Sequence, residues 1–214
     1  MKKFLVLTIL FILPITVYIF FASGKDNFAK LPVLTNEIQD LTSFRTADGD
    51  SVKFKDQITV LGFYGNTLLE NKGNAFNLAH KIYKKNRGFK DFQLVIVLPD
   101  GMQEDAKDLM SEISQIADTE QWKFVFGSSD AVKSIFTSLD TNYSLDANLA
   151  TSYVFIIDKD GNLRGRDDDD DKGLLFGFDT RDIAEINNKM HDDIKIVLAE
   201  YRLKLKKYKA NRQI

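Results

Sequence analysis

The sequence predicts an α/β fold: a central sheet flanked by helices, preceded by an apolar N-terminal segment and followed by a long amphipathic helix. Three observations carry this expectation. The runs 58–65, 92–98 and 153–157 are apolar at nearly every position, the composition of central strands covered on both faces. Stretches with apolar residues at helical spacing lie between them. Strands alternating with helices pack as one sheet between helix layers.

The elements follow in order. Lys2 and Lys3 precede an uncharged run over 4–21, rich in Leu, Ile and Phe. As a helix it would measure roughly 27 Å at ~1.5 Å per residue, against a hydrocarbon core of about 30 Å. A signal-peptide core is ~7–15 residues, so the length favours an uncleaved anchor over residues 1–24. Ala22-Ser23-Gly24 supplies the small residues that cleavage by a signal peptidase would need. Pro14 is tolerable in a membrane helix. The positive-inside rule keeps Lys2 and Lys3 in the cytoplasm and puts the remainder outside the inner membrane, periplasmic, or secreted after cleavage.

Residues 25–40 read as a linker, and 41–178 as one domain. Asp48-Gly49-Asp50 makes a turn before the first strand at 58–65. Phe76, Ala79, His80 and Tyr83 then recur at helical spacing until Asn86-Arg87-Gly88 stops the helix. The strand 92–98 ends at Pro99-Asp100-Gly101. A helix carrying Ala106, Leu109, Met110, Ile113 and Ile116 follows, then a short strand at 122–126 and a short helix at 128–139. The strand at 153–157 turns through Asp158-Lys159-Asp160-Gly161 into a hairpin partner at 162–166. A βαβ unit completed by an antiparallel hairpin is the thioredoxin-like layout.

The last helix, within 179–214, is the clearest element. Ile183, Ile186, Met190, Ile194, Val197, Tyr201, Leu205 and Tyr208 form one continuous stripe. Asp179 is the expected cap. Arg202, Lys204, Lys206, Lys207, Lys209 and Arg212 follow with no acid after Glu200, which complements the helix dipole. From 180 to 209 such a helix spans roughly 45 Å, so part of it is expected to project beyond the core, where it could associate with a copy of itself or a partner helix.

The order of elements and the anchor resemble the Sco/SenC family of thioredoxin-like copper chaperones over roughly 41–166. The likeness is carried by Asp48-Gly49-Asp50-Ser51-Val52, by Val60-Leu61-Gly62-Phe63-Tyr64-Gly65-Asn66-Thr67, by the strand ending at Pro99-Asp100, and by Tyr153-Val154-Phe155-Ile156-Ile157-Asp158-Lys159-Asp160-Gly161. The resemblance implies a membrane-anchored domain outside the inner membrane and a context in cytochrome c oxidase assembly. It also implies copper held by a CxxxC pair on the loop after the first strand and by a histidine before the late strand. Those ligand positions fall near Leu69, Gly73 and Ala150, none of which offers a donor to soft Cu(I). The site is thus expected to be degenerate.

Composition sharpens that expectation. The chain has 0 Cys among 214 residues, which removes disulfide exchange, thiolate zinc sites, iron–sulfur clusters, cysteine nucleophiles and a lipidated cysteine. Its net charge of −2 gives no bulk electrostatic basis for binding nucleic acid or an acidic membrane surface. The acids Asp167, Asp168, Asp169, Asp170 and Asp171 are weak candidates for a hard cation, since consecutive side chains cannot all face one ion; they read as a solvated loop. His80 reads as a partly buried packing residue and His191 as a surface group beside Asp192 and Asp193. Ser128 reads as a helix cap, without the GxSxG elbow of a nucleophile.

The expected function is therefore non-enzymatic and free of cofactor and metal: a membrane-anchored thioredoxin-like protein acting by contact with a protein partner. Two alternatives stand beside it, a carboxylate-dependent metal-binding or hydrolytic enzyme and a helix-mediated structural protein.

Overall fold

A computed structural model describes residues 2–22 and 30–211. The sheet starts with β1 (Val33–Thr35), which pairs antiparallel with β6 (Leu163–Arg164). β2 (Ile58–Tyr64), β3 (Phe92–Pro99) and β4 (Trp122–Gly127) are parallel neighbours. β5 (Ala150–Ile157) lies antiparallel on the other side of β2 and also pairs with β6, giving the order β1-β6-β5-β2-β3-β4. Parallel β2 and β3, followed by the antiparallel β5–β6 hairpin, are the thioredoxin-like arrangement foreseen from the sequence; β4 extends the far edge.

Alternation along the strands sorts their side chains onto two faces. Ile58, Val60 and Tyr64 of β2, with Leu94, Ile96 and Leu98 of β3, face one core layer; Leu61, Phe63, Val95 and Val97 face the other. The first layer is covered by α2 (Lys72–Leu78), which continues through a π turn over Ala79–Tyr83 into α3 (Lys84–Asn86), by α4 (Gln103–Ser114) and by the C-terminal helix. That helix comprises α6 (Ile183–Glu185), a second π turn over Ile186–Met190, and α7 (His191–Asn211). The second layer is covered by α5 (Ser129–Ser138), by the stretch 38–54 and by the segment 139–149. Ser128 caps α5, its hydroxyl accepting from the Ala131 N–H at 3.2 Å, as expected. Where Gln93 and Thr59 meet in the core, the Gln93 amide donates to the Thr59 hydroxyl and to the Lys53 carbonyl, so no buried donor there is orphaned.

Several expectations need correction. The linker expected over 25–40 stops sooner, because Leu31 and Ile38 are buried and β1 joins the sheet; residues 25–29, like Ser23 and Gly24 of the cleavage motif, lie outside the described residues. The cap of the last helix is Asp182, whose carboxylate accepts from Ala184 and Glu185 N–H groups, while Asp179 pairs with Arg181. His80 is exposed, not packed. The stripe on the last helix is real from Ile186 to Tyr201, but Ile183 is exposed.

α1 (Lys2–Ala22) is a helix interrupted by no charge after Lys3, with Pro14 inside it and Phe4, Leu10, Ile12 and Phe20 exposed. The Thr16 hydroxyl donates to the Ile12 and Leu13 carbonyls. Among the described residues no helix is long and apolar enough to cross a membrane.

Candidate functional site

In open α/β sheets ligands sit beyond the carboxyl ends of the parallel strands, and here that place is the loop after β2. Gly65 opens it with φ +54°, followed by Asn66 and Thr67 in a 3-10 turn. The segment leading into β5 closes on this loop. Tyr64 pairs with Ala150 across the sheet, and the Asn66 N–H donates to the Asn148 carbonyl at 2.9 Å. The contact is so close that a Cβ on Gly65 would lie 2.0 Å from the Asn148 oxygen and 2.8 Å from the Ala150 nitrogen.

Both sides of this contact are fixed by amide and carboxylate side chains. Asn71 donates to the Thr67 carbonyl and hydroxyl, both at 3.0 Å, and Asn74 donates to Asn71. Opposite, the Asp146 carboxylate accepts from the Asn148 and Ala150 N–H groups, each at 2.8 Å. This knot holds Leu149, a non-glycine residue, at φ +64°, a conformation that costs of order 1–2 kcal/mol. The positions that the family resemblance assigns to ligands fall as follows: Leu69 is exposed on the loop, Gly73 lies exposed in α2 with open space around it, and Ala150 is buried at the start of β5. Tyr64, beside them, has a buried hydroxyl without a hydrogen-bond partner among the described residues, and burial pushes its pKa far up. The Asp146 knot and the strained Leu149 were not visible in the sequence. An Asp four residues before Ala150, with Asn148 between, was the signal available.

The acidic run takes a different form from the solvated loop expected. It folds as a hairpin of β7 (Arg166–Asp169) and β8 (Gly173–Leu175). Asp167, Asp168, Asp170 and Asp171 are exposed, and Asp169 alone is buried. Asp169 accepts from Lys189 at 2.7 Å and from the Asp171 and Lys172 N–H groups. Arg166 forks onto Asp193 through two 2.8 Å bonds, and Lys172 pairs with Glu185 at 2.6 Å. Burial alone would raise the Asp169 pKa, yet Lys189 and the two N–H donors bring it net below its ordinary 3.8. Burial raises that of Asp193 against the pull of Arg166. Among the described residues no group of acids or histidines is placed to hold a metal ion. The carboxylates of Asp169, Asp171, Glu185 and Asp193 are engaged in ion pairs with Arg166, Lys172 and Lys189 that pin the hairpin to the C-terminal helix. His191 is half-buried, its Nδ1 unpartnered among the described residues; desolvation, then Lys85 and Lys195, lower its pKa.

The Asp169 geometry makes a pH-dependent prediction. With a folded pKa below the unfolded one, its stabilisation is present above about pH 4 and fades as pH falls through the folded pKa. Asp169→Asn should lose about 1–3 kcal/mol at pH 7 and approach the parent as the pH falls through the folded pKa, below 3.8, in chemical denaturation. A difference that persisted unchanged into acid would show that the carboxylate charge is not the source.

No family model matches the sequence, and no curated protein matches it. Among solved structures it is similar to a SCO1/SenC family lipoprotein from Bacillus anthracis, at 18% identity and a TM-score of 0.51, over 78% of this chain and 95% of the other. It is also similar to a candidate electron transfer protein from Aquifex aeolicus, at 15% identity and a TM-score of 0.51, over 79% of this chain and 92% of that one. Sequence identities of this size speak to architecture, and with the strand order above they establish that this chain has a thioredoxin-like fold.

Proposed function

We propose that the protein is a membrane-anchored thioredoxin-like scaffold outside the inner membrane, acting by protein–protein contact without thiol or copper chemistry. One observation carries the reading. The loop after β2 is packed against the segment before β5, but Leu69, Gly73 and Ala150 stand where the resemblance places metal ligands, and the nearby polar side chains of Thr67, Asn71 and Asp146 bond the backbone of these segments. A scaffold retained around donor-free positions suits recognition better than transfer of a metal. The helix over Lys2–Ala22, with its exposed apolar side chains, supports the anchor. Residues 1–24 are then the anchor, and the folded unit extends from Leu31 through α7, because Ile186, Met190, Ile194 and Val197 belong to its core. The resemblance, and the SCO1/SenC lipoprotein among the similar structures, favour assembly of a respiratory oxidase as the setting; that warrant is one of association.

Two measurements test this. Protein loaded with Cu(I) and desalted should retain no stoichiometric copper; tight one-to-one retention would overturn the inert-site reading. Gentle-detergent capture of the intact chain, read by mass spectrometry, should enrich oxidase subunits or their assembly factors. Their absence beside recovery of other partners would leave the resemblance as one of fold alone.

A further inference from the structure

We propose that the edge of the domain where the N-terminal segment enters is a docking surface for anionic phospholipid headgroups, formed by Lys90, Lys159 and Arg202 and by the basic end of α7. The inference rests on the anchored reading above. Its geometric basis is the junction of Leu31 with α7: the Leu31 N–H donates to Glu200 at 3.0 Å, and the Leu31 carbonyl accepts from Arg164, which also grips Glu200 at 2.9 Å. The chain from Ala22 to Leu31 reaches at most about 30 Å at ~3.4 Å per residue. An anchor at α1 therefore keeps the Leu31–Glu200 edge beside the bilayer.

Beside that edge cations outnumber acids around one pocket, and Asp160, which accepts from the Tyr201 hydroxyl and pairs with Lys55, lies next to it. Within two residues of Glu200, a small pocket of about 180 Å³ is walled by Ile58, Phe89 and Leu198 and rimmed by Lys90, Lys159 and Arg202. Lys159 sits 5.6 Å from the centre of the Tyr201 ring and pairs with Asp91, the one acid lining the pocket. Lys90 and Arg202 form no ion pair among the described residues. Beyond Tyr201, α7 runs on to Asn211, roughly 15 Å further. This extension carries Lys204, Lys206, Lys207 and Lys209 and no acid. Positions 205 and 208 continue the face of position 201, with 204 and 209 on its two sides. A helix of that pattern suits an interface where apolar positions meet the headgroup boundary and lysines flank them. Dipole complementarity accounts only for cations in the last turn, and Arg202 and Lys204 lie more than a turn before Asn211.

Because the chain has no cysteine, Asn211→Cys gives a single thiol for an environment-sensitive fluorophore. The labelled full-length chain is reconstituted into vesicles of phosphatidylcholine, alone or with about a third phosphatidylglycerol, a composition with a negative surface potential. A blue shift is expected with phosphatidylglycerol only. It should vanish in about 1 M salt, where screening is nearly complete, and in a Lys90→Glu, Arg202→Glu, Lys204→Glu variant whose near-ultraviolet circular dichroism matches the parent. Flotation with both vesicles but equal spectra would overturn the inference and leave the anchor standing. Failure to float with either would overturn the anchored reading and the inference with it. The same shift produced by inorganic phosphate in phosphatidylcholine vesicles would identify a site for free anions, and would also overturn it.

Discussion

Gly65→Ala is expected to destabilise the protein by at least about 3 kcal/mol, a large part of the ~5–15 kcal/mol that holds a domain together. Two causes add. At φ +54° an alanine is strained by roughly 1–2 kcal/mol. Its Cβ would also meet backbone, the Asn148 oxygen at 2.0 Å and the Leu149 carbonyl carbon at 2.7 Å, where no side chain can rotate aside. Relief requires β2 and the segment before β5 to move apart. That movement would break the Asn66–Asn148 bond and disturb the Asp146 knot behind it. Gly73→Ala is the control nearby: its Cβ meets nothing within 4 Å, it sits in α2, and helix propensity should make it neutral or up to about 1 kcal/mol stabilising. Urea unfolding of both variants, followed by circular dichroism, gives the comparison. Equal stabilities would mean that this junction is far more pliable than its backbone contacts imply.

The contrast between these glycines also shows what was legible in the sequence. The sheet core was plain because β2, β3 and β5 are apolar on both faces, which few other environments select. The helices on its first layer showed in the spacing of Ala106, Leu109 and Ile113, and of Ile186, Met190, Ile194 and Val197. β1 was missed because three residues after a proline carry no alternation to read. The β7–β8 hairpin was missed because aspartates disfavour strands; ion pairs of Arg166 and Lys189 hold it to the C-terminal helix, and no local pattern announces them. For the same reason the loop after β2 was legible only as a place. That Leu69, Gly73 and Ala150 lack donors is read directly from the residues, while the knot that shapes the site depends on Asp146 finding two N–H groups across a turn. The cap moved from Asp179 to Asp182 because Arg181 and Glu185 both bond residue 179, which draws it into β9 (Phe178–Asp179).

Arg164 is the second position where one change should have a large effect, and its consequence reaches the proposed membrane edge. The guanidinium is buried between Asp158 at 3.1 Å and Glu200 at 2.9 Å, and it donates to the Leu31 carbonyl through two nitrogens. Desolvation opposes its charge, but the two carboxylates prevail and raise its pKa, so the guanidinium stays charged. Arg164→Met would leave Glu200 charged and nearly buried, with the Leu31 N–H its one remaining hydrogen-bond donor among the described residues. A loss of about 3–5 kcal/mol is expected, the usual cost of removing one partner from a buried pair. Asp158 should suffer less, since it also accepts from the Asp160 and Asn162 N–H groups and the Asn162 amide. The double variant Arg164→Met, Glu200→Leu removes the stranded charge together with its partner and should recover most of the loss. A double-mutant cycle by urea unfolding reads the coupling directly, and simple additivity would defeat the account. Amide exchange at Leu34 and Thr35 adds a local readout: in the single variant β1 should open more readily, because Arg164 and Glu200 join this strand's entry to α7. If exchange there were unchanged while global stability fell, the cluster would be supporting the core alone, and α7 would no longer be held to the edge where the anchor enters.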